Sequence, residues 1–227
     1  MSVVRILAFV SLGGMLSAGP AVAQSLSSYR AYALESSLAA IVKSTGARQA
    51  DLKTLHVRPS SIQQLEWRPP YAERGSAPPD PVRSVLFSFY EAQLYRVVVA
   101  YERERTEGLT DNDVLEFISG AYGALPMQAR EGDGLPVDVP ANTTIVARWD
   151  DGSSVLTLVR GNYSREFTLV LSSKRLSALA ASATAQALRL DADEAPQRAL
   201  DRRDKALADA RVTEEKARAV NKAAFKP

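Results

Sequence analysis

Between Val85 and Tyr101, two runs of aromatic and β-branched residues, Val85 to Tyr90 and Leu94 to Tyr101, flank the short connection Glu91, Ala92 and Gln93. Residues of this kind fit a pleated, half-buried surface, and two such runs joined so briefly predict an antiparallel hairpin. A period of two puts Val85, Phe87 and Phe89 on one face of the first strand. On the second strand it groups Tyr95, Val97, Val99 and Tyr101. Both faces are expected to meet the core.

Elements of two periods surround this hairpin. Leu38, Ile41 and Val42 share a helical face, with Ser36 or Ser37 as N-cap and Gly46 as stop. Leu52 to Arg58 and Ile62 to Arg68 read as strands around a turn at Pro59, Ser60 and Ser61. From Pro69 to Pro81, five prolines among thirteen residues predict an extended surface loop, either a gate or a connector. Thr110, with Asp111 and Asp113 after it, starts a second helix in capping style. Its stripe is Val114, Leu115, Ile118 and Tyr122, and Gly123 ends it. Residues 124 to 141, rich in Gly, Pro and acids, read as a second loop. Three strands in meander follow, Thr143 to Trp149, Ser153 to Arg160 and Tyr163 to Leu171, turned by Asp151-Gly152 and Gly161-Asn162.

After Ser172 the chain becomes alanine, leucine and interleaved charge, without glycine to its end, which is a helical composition. A helix from about Ser173 to Leu190 keeps an apolar side through Leu176, Leu179, Ala183 and Ala187. Asp191 to Pro196 is expected to interrupt it. From Gln197 to Lys222, Leu200, Leu207, Ala210, Ala217 and Val220 stand near seven-residue spacing. Two readings are open there, a solvated or frayed helical tail and a coiled-coil contact. The fold class expected is α+β: antiparallel β-meanders packed with short helices, a hint of a duplicated α-plus-meander unit, and a long charged C-terminal helical segment. The division expected is a leader over 1–23, an α+β domain over 24–172 with possible halves 24–104 and 105–172, and the helical segment over 173–227.

The first 23 residues read as a cleavable signal peptide. Arg5 precedes an apolar stretch from Ile6 to about Ser17, and Ala21, Val22 and Ala23 form a small-residue cleavage site. The stretch is shorter than the roughly 20 residues a spanning helix needs and carries Gly13 and Gly14. Cleavage after Ala23 would leave Gln24 first, with no cysteine to take a lipid, so the expected location is a bacterial periplasm or exterior, without a stable membrane anchor. The chain has no cysteine, which excludes disulfides, thiolate metal sites and cysteine nucleophiles. The net charge is +2, of which Arg5 leaves with the leader. Lys and Arg interleave with Asp and Glu, so nucleic acid is not an expected partner.

Few residues nominate chemistry. His56 is the single histidine, so any Ser-His-Asp relay must use it, yet no nucleophile elbow accompanies it. The reading beside that one is a satisfied or surface histidine. Asp111, Asp113 and Glu116 have spacing superficially suited to calcium, but helix-start acids explain the first two. Asp191, Asp193 and Glu194 are equally explained by a polar helix break. Gly132, Asp133 and Gly134 lie in a Pro-bounded loop and are not a phosphate cradle. Phe87, Phe89, Tyr95, Tyr101, Tyr122, Trp67 and Trp149 are spaced as core, while Trp and Tyr beside Arg68 and Arg148 would also suit a ligand wall. Asn142-Thr143-Thr144 and Asn162-Tyr163-Ser164 match the glycosylation sequon, which matters only in a eukaryotic host. No cofactor and no metal site is expected.

The run Phe87-Ser88-Phe89, Leu94-Tyr95, Val97, Val99, Tyr101, then a helix ending Tyr122-Gly123, then Trp149 and Leu156 to Val159, resembles a layout of bacterial exported proteins. It is loosely similar to the helix-plus-meander modules of small lipoproteins of the barrel-assembly machinery and of β-lactamase-inhibitor proteins, over about Leu34 to Leu171. The resemblance implies a protein that binds proteins and is not an enzyme. The chain departs from the lipoprotein pattern in lacking the lipidated cysteine. Three functions are thus expected in order: a non-catalytic interaction protein using the C-terminal helix on an envelope partner, a hydrolase using carboxylates or His56, and a small-ligand carrier.

Overall fold

The computed structural model describes residues 25–70, 80–123, 125–127, 134–224 and 226. The described chain opens with a small hairpin, β1 (Ser28–Tyr29) and β2 (Tyr32–Ala33). Helix α1 (Leu38–Thr45) follows, capped by Ser37, whose hydroxyl accepts from the Ala40 amide, and closed by Gly46 at φ 68°. Strands β3 (Leu52–His56), β4 (Ile62–Trp67), β5 (Val82–Tyr90) and β6 (Gln93–Tyr101) then run as one antiparallel meander. Two residues, Glu91 and Ala92, make the β5–β6 turn, both at positive φ, the mirror-image turn whose twist suits paired strands.

A short turn of helix, α2 (Arg103–Thr106), leads to α3 (Asp111–Tyr122). Thr110 and Asp113 form a reciprocal capping box at its start, and Gly123 at φ 62° ends it, as the spacing of Thr110, Asp113 and Gly123 predicts. Strands β7 (Thr143–Asp150), β8 (Ser154–Gly161) and β9 (Phe167–Ser173) make the second meander, and α4 (Lys174–Ala224) closes the chain. The seven long strands form one sheet in the order β3-β4-β5-β6-β9-β8-β7. Each meander follows a helix, and the two meet through their last strands, with Val98 of β6 opposite Val170 of β9. The expected α-plus-meander units are therefore two wings of one antiparallel sheet, and the α+β class holds.

The two faces of the sheet are covered differently. The first carries the main core: Phe87, Phe89, Val97, Leu156, Leu158 and Trp149 are all at most 1% exposed. Ile41 of α1, Val114 and Tyr122 of α3, and Tyr29 and Tyr32 of the small hairpin close over them. On the second face α4 packs Leu176, Ala180 and Ala183 against Ile62 and Tyr95.

Three expectations need correction. Tyr95 does not share a face with Val97, Val99 and Tyr101. Ser88 pairs with Arg96 while Phe89 pairs with Leu94, so a bulge at Tyr95 turns it to the second face. The last strand begins at Phe167 and not at Tyr163, because the Arg165 amide bonds the Gly161 carbonyl and the Gly161 amide bonds the Glu166 carbonyl, closing a loop over the residues between. The expected interruption at Asp191 to Pro196 is absent: α4 is one helix of 51 residues with Pro196 inside it. The Arg198 guanidinium donates to both the Asp191 carbonyl, at 3.0 Å, and its carboxylate, at 2.8 Å, bracing the turn that the proline weakens.

Candidate functional site

Where α4 crosses the second face, a cleft of about 640 Å³ opens beside it. Its floor is Gln64 of β4, Arg96 of β6, and Val170 and Ser172 of β9. One wall is α4, through Ala178, Ala181, Ala185 and Leu188. The other is Leu55 and His56 of β3, and Val137 and Asp138 of the loop before β7. The alternation of β4, β6 and β9 decides this floor, since their inward residues belong to the first face and their other residues turn here.

Arg96 is the polar centre of the cleft. It is 8% exposed. Its Nη1 donates to Asp138 Oδ2 at 2.9 Å, its Nη2 donates to the Tyr95 hydroxyl at 3.0 Å, and its guanidinium lies 4.9 Å from the Tyr95 ring centroid. A buried guanidinium is tolerated when a carboxylate and further acceptors replace water around it, and the ring face adds a cation–π contact. The bulge that turns Tyr95 is what brings phenol and guanidinium together. Arg96 was not among the residues the spacing nominated. Its signal was available as the single charge between Leu94 and Tyr101 in an otherwise uncharged run.

His56 lies on β3 as expected and lines the cleft. Among the described residues no serine or carboxylate hydrogen-bonds its ring. Its influence reaches Asp191, whose carboxyl is held below the usual range first by the hydrogen bond from Arg198, with Arg58 and His56 adding lesser pulls. Glu194 is bound by Arg58 of the β3–β4 turn, which ties α4 to the sheet edge, and Asp193 is exposed.

The other acidic group is used within the fold. Asp111 pairs with Arg160 of β8 at 2.7 Å, Asp113 serves the capping box of α3, and Glu116 is exposed. Among the described residues no three His, Asp or Glu side chains converge. Gly132 and Asp133 lie outside the described residues. Asn162 accepts a hydrogen bond from Thr144 at 2.6 Å.

The aromatics divide between the faces. Phe87, Phe89, Tyr122 and Trp149 are core, and Trp67 and Tyr101 pack against it. Tyr32 anchors them edge-on, 4.8 Å from Phe87 and 6.1 Å from Trp67 between centroids. Only Tyr95 of this set lines the cleft. Arg68 pairs with Glu66 at 3.0 Å. Comparison with protein-family models, with curated proteins and with solved structures finds no match to this chain.

Beyond the cleft, α4 leaves the sheet. Every residue from Ala195 to Ala224 is exposed, a helical arm about 45 Å long at the usual rise. No described helix is long and apolar enough to cross a membrane.

Proposed function

We propose that this is an exported, non-catalytic binding protein that engages another protein chain through α4. The observation that carries the reading is the arm itself: thirty consecutive helical residues with no intramolecular cover, among them Leu200, Leu207, Val212 and Val220, each about half exposed or more. Most helices in proteins owe their stability to a packed face, and a helix this long with apolar residues on its surface is suited to gain one from a partner. Export is supported by the order of Arg5, the apolar stretch and Ala21-Val22-Ala23, which lie outside the described residues. The test is capture from a bacterial envelope extract with the purified mature protein and with a chain ending at Glu194. Partners recovered by the first and lost by the second are expected; identical recoveries sink the reading.

The cleft favours a second reading, a carrier of small amphiphiles, because a mostly apolar trough with one buried guanidinium is how such ligands are oriented. Native mass spectrometry of protein purified gently from its host checks this. A bound small molecule lost on Arg96→Met supports a carrier, and the bare chain mass counts against it.

A further inference from the structure

Two polar groups in the cleft are left partly unused by the fold. A guanidinium carries five N–H donors, and among the described residues Asp138 and the Tyr95 hydroxyl take two of those on Arg96. Ser177, in the first turn of α4, lines the same cleft. Its buried hydroxyl has no hydrogen-bond partner among the described residues. A helical hydroxyl can bond the carbonyl one turn back, as Thr184 does with Ala180 at 2.8 Å. That of Ser177 stays open, and a buried polar group left open costs stability until something supplies its partner.

Both groups stand at one end of the cleft. Arg96 is the cross-strand partner of Ser172, and α4 begins at Lys174, so Ser177 rises from the same corner of the sheet. From there α4 runs toward the β3–β4 turn, where Arg58 binds Glu194. On the way its wall becomes apolar, through Ala181, Ala185 and Leu188, and β3 contributes Leu55. Leu188 is 59% exposed and Leu55 39%, so this far end is both apolar and accessible. Ser177 and Leu188 are about 16 Å apart at the usual helical rise. The floor has a matching length, since β6 and β3 are three strand spacings apart, roughly 14 Å.

We propose, on the reading of the cleft as an amphiphile site, that its ligand is a single-chain fatty carboxylate whose head displaces Asp138 from Arg96 and whose alkyl chain lies along α4 to Leu188 and Leu55. The head accepts hydrogen bonds from Arg96 and from the Ser177 hydroxyl, which gains the partner that the fold does not give it.

Charge selects this head group. An ammonium head would set a second cation beside the buried guanidinium. An alcohol would leave Asp138 in place and gain little beyond Ser177. A carboxylate cannot simply join Asp138, because two anions on one guanidinium leave an uncompensated charge in an apolar cleft. Exchange keeps the site neutral. Asp138 is suited to leave, because its backbone is held at φ 69°, a left-handed conformation that costs a residue other than glycine. Its side chain is already 26% exposed, so the freed carboxylate passes into water.

Calorimetric titration of the mature protein, below micelle-forming concentrations, tests this with three probes of one chain length: dodecanoate, dodecanol and dodecyltrimethylammonium. Dodecanoate is expected to bind at least tenfold more tightly than either of the others. Equal or tighter binding of the alcohol or the ammonium overturns the head-group assignment and leaves the carrier reading standing. Binding of none of the three overturns the carboxylate site, and a bare chain mass in the native spectrum then takes the carrier reading with it. Asp138→Asn removes the competing carboxylate and should tighten dodecanoate at least tenfold; an unchanged or weaker affinity in a variant with the unaltered circular-dichroism spectrum overturns the exchange. Ser177→Ala, which removes an unsatisfied hydroxyl and leaves the core intact, should weaken dodecanoate at least threefold, and no change overturns the role given to Ser177.

Discussion

Arg96 is the only charged side chain among the described residues that is buried, and its environment explains how the sheet accepts it. Asp138 supplies the compensating charge from a loop, with its side chain 26% exposed. Removing the carboxylate leaves a guanidinium in the floor of an apolar cleft, and a stranded charge costs more than an absent pair. Asp138→Ala is therefore expected to lower unfolding free energy by roughly 1–3 kcal/mol, and Arg96→Met by clearly less. Urea denaturation of the two variants compares them directly. A second residue-scale prediction concerns the phenols beneath the small hairpin. Burial, with Tyr122 nearby, pushes the Tyr101 hydroxyl up from 10.0 to about 12, and burial raises Tyr29 and Tyr122 further still. The unfolded chain ionises these groups near pH 10 while the folded chain holds their protons. Stability from this source is complete below pH 10 and is lost as pH climbs through 12. Denaturation midpoints measured from pH 9 to 12 should fall steeply over that window, and less steeply in Tyr101→Phe.

At the scale of elements, the two short helices are set by local chemistry that the sequence displays openly. Ser37 and Thr110 satisfy amide groups at helix starts, and Gly46 and Gly123 adopt the left-handed conformation that ends them. Thr110→Ala removes half of the capping box and should cost about 1 kcal/mol in thermal or chemical unfolding. Helix α4 is the element where local rules mislead. Pro196 lacks an amide hydrogen and crowds the preceding turn, which costs about 3 kcal/mol in a helix interior, so a break there was the natural expectation. Good helix formers on both sides, the Arg198 brace and the Arg58–Glu194 tie hold the helix through it. Pro196→Ala should raise helicity of the arm, read as a deeper circular-dichroism minimum at 222 nm and slower hydrogen exchange over the residues around position 196, without altering the sheet.

For the whole molecule, the sheet and its first-face core form one body and the arm another kind of object. Among the described residues, a chain ending at Glu194 loses only exposed ones, so its melting temperature should match that of the full chain in dilute solution.

The amino-acid sequence by itself determined the elements whose cause is local or periodic: the β5–β6 hairpin, both capped helices, the two meanders and a helical C-terminal segment. Those follow from alternation, capping residues and turn residues, each of which acts within a few positions of itself. Tertiary structure alone decided three things. It placed β9 against β6, which joins two meanders into one sheet; that pairing reads no signal from neighbours in sequence, only the match of Val97 to Val99 with Leu169 to Leu171 across the strands. It turned Tyr95 away from the face its alternation assigned, because pairing with β5 absorbed one extra residue as a bulge. And it assembled the cleft around Arg96 from β3, β4, β6, β9, α4 and the loop bearing Asp138, six segments whose shared surface exists only once the chain has folded.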